Sequence, residues 1–169
     1  SKTIDDLNKK AWQLRNDDVS EANKLAEQAH TLSQAESYQR GLAESILTQS
    51  YCRIRHAEFS SALTGAKKSL EIFEALEDEL GRQRSLNTLG IIYGQTGDLN
   101  NALKTFLSTY KLCQELKDKK AEANALNNLS IIYMHLGDYN TALDYSQKSL
   151  TLYQDLKYQK GEVKTLQNI

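Results

Sequence analysis

Apolar positions in the middle of the chain fall at helical spacing. Leu86, Leu89, Ile92 and Tyr93 lie three, three and one residues apart, which gathers their side chains into one stripe of an amphipathic helix. This stripe predicts a helix from about Arg82 to Gln95. Gly97 stops it, since glycine takes the left-handed conformation that a tight helix–helix turn needs. Asp98 is then placed to cap a second helix with its carboxylate. Ala102, Leu103, Phe106, Leu107, Leu112 and Leu116 form the apolar side of that second helix. Ala102 and Gly90 are small where the two helices of one hairpin must come close.

The hairpin is copied along the chain. Leu89 and Leu129, Tyr93 and Tyr133, Gly97 and Gly137, and Ala102 and Ala142 are each separated by 40 positions. A constant offset of this size marks a stack of one supersecondary unit. Such stacks present long concave surfaces and rarely enclose a reaction chamber. Residues 121–160 repeat the pattern of 81–120 through Leu126, Leu129, Ile132, Tyr133, Gly137, Asp138 and Ala142. The copy at 41–80 is worn: Ile46 and Ala62 hold register, while Ser50 replaces Gly90, Ala57 replaces Gly97 and Arg53 replaces the tyrosine. At 1–40 the pattern thins to Leu7, Ala11, Trp12 and Leu14, then Ala22, Leu25, Ala26, Ala29 and Leu32. Ala22 is in phase, and the first helix reads as slipped. Residues 161–169 match 81–89 as half of a further leading helix. The expectation is one all-α domain over 1–169, a solenoid of about four antiparallel helix hairpins plus a partial helix, as a fragment of a longer protein.

Composition agrees with that picture. Proline is absent and there are 8 glycines, fewer turn residues than a β-rich chain of this length would spend. A net charge of −1 gives no electrostatic reason to expect nucleic acid or an anionic membrane. No apolar run approaches the roughly 20 residues needed to cross a bilayer. Cys52 and Cys113 sit in apolar helical stretches without metal-ligand spacing. They read as buried free thiols, and a cytoplasmic location is expected.

Leu86, Leu89-Gly90, Tyr93, Ala102 and Phe106, and again Leu126, Leu129, Tyr133 and Ala142, make the chain resemble the tetratricopeptide repeat family. The usual unit of that family is about 34 residues, whereas these copies are 40 residues long and lack the closing proline. That is similar to the long-repeat subgroup of bacterial signalling-protein sensor regions and of adaptors of the Pins and kinesin light chain type. The resemblance implies a right-handed superhelix whose leading helices line a concave groove. Carried over by position, the groove residues are Glu44, Leu47, Tyr51, Ile54 and Arg55, then Arg84, Asn87, Ile91, Gly94 and Gln95. Asn124, Asn127, Ile131, Met134 and His135 follow, with Lys164 and Gln167 on the partial helix.

Asn87 and Asn127 recur at one repeat position, and an asparagine side chain suits pairing with an extended peptide backbone. Arg55, Arg84 and Lys164 add cationic donors for a carboxylate. Gly94 opposite Met134 and His135 suggests a shallow hollow for an apolar anchor. The partner class is therefore a protein or peptide, extended and acidic, with solvated helix positions as the alternative reading of the same residues. His30, His56 and His135 share no metal-ligand spacing with one another or with the cysteines, and no nucleophile–histidine motif or phosphate loop is present. No cofactor, metal or catalytic residue is expected, and the chain is read as no enzyme. A sensory module of a cyclase, histidine kinase or transcription regulator, and self-association through an open C-terminal end, are the competing uses.

Overall fold

The computed structural model describes residues 1–167, and the match of Ile169 to Leu89 lies outside them. Among the described residues every element is helical. They are α1 (Lys2–Leu14), α2 (Val19–Ala35), α3 (Gln39–Arg55), α4 (Phe59–Ala75), α5 (Glu79–Gln95), α6 (Leu99–Glu115), α7 (Lys119–His135), α8 (Tyr139–Asp155) and α9 (Gln159–Leu166). From α2 to α8 each helix has 17 residues, so the long repeat divides into two equal arms. Helix α5 opens at Glu79, one turn before the predicted start at Arg82. Helix α6 closes at Glu115, with Leu116 as its cap instead of part of its apolar face.

Two devices set these boundaries. Aspartates cap the N-termini: Asp18, Asp98, Asp118 and Asp138 accept from the backbone N–H three residues on, satisfying amides that have no partner within the helix. At the C-termini one residue turns left-handed. Gly97 (φ 79°) and Gly137 (φ 80°) do so freely, whereas Ala57 (φ 59°) does so against its own Cβ.

The helices form two compact units, Ser1–Ile92 and a second from Tyr93 onward. In the first, Ala11, Leu25 and Ala26 pack with Leu7 and Leu14, and Ala43, Leu47 and Phe73 pack with Trp12 and Ile72. In the second, Phe106, Leu112, Leu126, Leu129, Ile132 and Tyr153 are buried. Both units bury the same polar device. Ser69 donates to the Ala43 carbonyl (2.9 Å) and lies 3.3 Å from the Ser85 hydroxyl. Ser149 does the same to Ala123 (2.8 Å) and Thr165 (3.3 Å). Each such hydrogen bond contributes about 1 kcal/mol net.

The slipped first helix is corrected. Helix α2 begins at Val19 and α4 at Phe59, and Asn8, Thr48 and Thr88 are all buried at matching positions. The first hairpin is in phase. Its inward stripe was obscured because one of its members is the polar Asn8. Where Ser50 replaces a glycine, the close approach is supplied from the facing helix instead: a Cβ at Gly65 would lie 2.2 Å from Ser50 Oγ.

Candidate functional site

A concavity lies in the first unit. A hollow of about 480 Å³ is lined by Asp5, Asn8, Lys9, Trp12 and Gln13 from α1, by Arg40, Glu44, Leu47 and Thr48 from α3, by Phe73 from α4, and by Arg84 from α5. The helices that open successive repeats thus form its walls, with buried Leu47, Thr48 and Phe73 at its base. Trp12 meets Tyr51 edge to face at 6.0 Å. The guanidinium of Arg15 lies 3.9 Å from the Trp12 ring centre and that of Arg84 5.7 Å, both within cation–π range.

Charges in the hollow are of both signs. Arg40 is tied to Asp78 at 3.0 Å and to Glu44 at 3.8 Å. Burial pushes the Glu44 carboxyl above the usual range, with Arg40 and Arg84 pulling it back. Arg84 itself makes no ion pair within 4.0 Å among the described residues.

The expected groove residues separate into several environments. Glu44, Leu47 and Arg84 line the hollow, and Asn87 stands half-buried on the same helix as Arg84. Arg55 is exposed at the end of α3, outside the hollow, and Ile54 is buried. In the second unit Gln95 and His135 are exposed and Met134 half-buried. Asn124 is already engaged, donating to the Lys120 carbonyl and accepting from the Tyr153 hydroxyl at 2.7 Å. Asn127 is 0 % exposed, which corrects its placement on an open groove: the turn that carries it faces the interior. A Cβ at Gly94 would meet Ile132 Cδ1 at 3.2 Å, so Ile132 covers Gly94 where Met134 and His135 were expected. Lys164 is exposed on α9.

Sequence reasoning missed Asn8, Lys9, Trp12 and Arg40. Once α1 is taken as in phase, the 40-residue offset from Thr48 points back to Asn8, the first of them. Cys52 and Cys113 are buried and are not joined in a disulfide. Among the described residues no three His, Cys, Asp or Glu side chains gather to hold a metal ion, and no helix is long and apolar enough to cross a membrane.

Residues 81–155 match the tetratricopeptide repeat family. No curated protein matches the sequence. Among solved structures, aspartyl phosphate phosphatase F from Bacillus subtilis superposes with a TM-score of 0.78 at 16% identity, over 93% of this chain and 42% of that one. The apo form of RapI gives 0.81 at 18% identity, over 97% and 60% respectively. A Signal Transduction ATPase with Numerous Domains protein with a tetratricopeptide repeat sensor, from Pyrococcus horikoshii, gives 0.77 at 16%, over 98% and 26%. The chain therefore spans less than two thirds of each of these relatives, and at such identities the likeness is one of fold.

Proposed function

With residues 81–155 matching the tetratricopeptide repeat family, we propose that this chain is a protein-interaction module that receives an extended, acidic peptide along the leading helices of its repeats. The observation that carries the reading is Arg84. Arg84 lines a hollow walled by α1, α3 and α5, and no carboxylate among the described residues lies within ion-pair distance of it. A planar guanidinium with open donors pairs well with a carboxylate. Asn87, one turn further along α5, adds a half-buried amide beside it.

Two pools of random eight-residue peptides test this, one with acidic residues at fixed positions and one with lysine there. The acidic pool is expected to be retained on the immobilised chain. Arg84→Glu is expected to weaken retention at least tenfold, about 1.4 kcal/mol. Equal retention of the lysine pool, or no effect of the substitution, would overturn the reading. A regulatory use of the same binding is favoured by one further feature: the hollow is lined from separate helices, so an occupant favours one spacing of them over others.

A further inference from the structure

The hollow contains a buried acceptor to which no described residue donates. Asn8 is 2 % exposed, and its Nδ2 donates to the Gly41 carbonyl at 2.9 Å. Its Oδ1 has no hydrogen-bond partner among the described residues, although the residue lines the hollow. Buried carbonyl oxygens are nearly always paired, and each exception calls for a reason.

The charges around it narrow the choice of ligand. Lys9, Arg40 and Arg84 are balanced against Asp5 and Glu44 in the lining, with Asp78 already holding Arg40. Arg40 lies closer to Asp78 (3.0 Å) than to Glu44 (3.8 Å), so Lys9 and Arg84 are the remaining cations opposite Asp5 and Glu44. A lining of both signs suits a ligand that carries a cationic donor at one end and an acidic group further along.

We infer that the hollow seats the free N-terminus of a peptide, whose α-ammonium donates to Asn8 Oδ1 and pairs with Glu44. The first side chain rests against Leu47, Phe73 and Trp12, and an acidic residue downstream meets Arg84. This deepens the preceding reading and rests on it. A backbone amide would supply the donor for Asn8 but leave Glu44 without a new cation. A further cation beside Glu44 adds to the pull of Arg40 and Arg84 and offsets the burial that lifts its carboxyl.

The experiment compares retention of an acidic random eight-residue pool on the full 169-residue chain with that of the same pool after N-terminal acetylation. L-leucine serves as competitor. The free pool is expected to exceed the acetylated pool at least tenfold, and Glu44→Gln is expected to bring the two within twofold. Asn8→Ala is expected to act alike, with thermal melting confirming that each variant is folded. Equal retention of both pools, with Arg84→Glu still weakening each, would remove the N-terminal inference and leave the peptide groove standing. Retention of neither pool would remove both. Displacement by L-leucine at the peptide's own affinity would overturn the peptide as source of the ammonium.

Discussion

The ring of Phe73 fills the space that a side chain at Gly81 would need: a Cβ there would stand 2.1 Å from Cδ1 of the ring. The same relation recurs 80 residues on, where a Cβ at Gly161 would stand 2.4 Å from Tyr153 Cδ1. Between them, positions 113 and 121 hold Cys and Ala. A large ring is matched with glycine and a small thiol with alanine. Gly81→Ala is therefore expected to destabilise the chain by about 1–3 kcal/mol, the usual penalty for overpacking a core. Combining it with Phe73→Cys should recover part of that loss, giving a favourable coupling in a double-mutant cycle measured by urea denaturation. Additive effects would show that the two positions are not matched.

Ala57 holds φ at 59° in the turn where Gly97 and Gly137 hold 79° and 80°. A left-handed residue with a Cβ costs roughly 1–2 kcal/mol, of which glycine's extra unfolded-state freedom returns about 0.5–1. Ala57→Gly is expected to raise stability by up to about 1 kcal/mol, and Gly97→Ala to lower it by a similar amount. Thermal melting of both variants checks the sign.

Asn87 and Asn127 share a repeat position but not an environment, the first half-buried and the second 0 % exposed. Asn127→Ala is expected to cost roughly 1–3 kcal/mol, because it strands the group with which the buried amide interacts. Asn87→Ala should change stability little and act on peptide retention instead. Measuring both properties on both variants separates the roles.

Glu44 has its folded pKa raised by burial, against the pull of Arg40 and Arg84. A carboxyl so raised binds its proton more readily when folded. Its contribution is fully present below the unfolded pKa of about 4.3 and is lost as pH rises through the folded value. Glu44→Gln, which does not ionise, is therefore expected to be more stable than the unchanged chain at pH 7. That margin should close as the pH falls towards 4. A margin that stays constant with pH would contradict the linkage.

Legibility was greatest where the chemistry is local. Asp98 caps its helix and Gly97 turns left-handed as their residue types dictate. The stripe through Leu89 and Ile92 is buried as its spacing requires. The site was less readable, because Asn8 interrupts the apolar stripe of α1 and so concealed the register of the helix that supplies much of the hollow. Arg40 was passed over because its tie to Asp78 joins α3 to the turn after α4, and no spacing along one helix reports that.

Residue order alone settled the helical class, the 40-residue period and the turn positions, since periodicity, capping and left-handed turns act within a few neighbouring residues. Tertiary packing decided which polar side chains meet solvent. It buried Asn127, engaged Asn124 with Tyr153, and drew Asn8, Glu44 and Arg84 from three helices around one hollow. Exposure depends on what lies across from a side chain, and in this fold those neighbours come from distant parts of the chain.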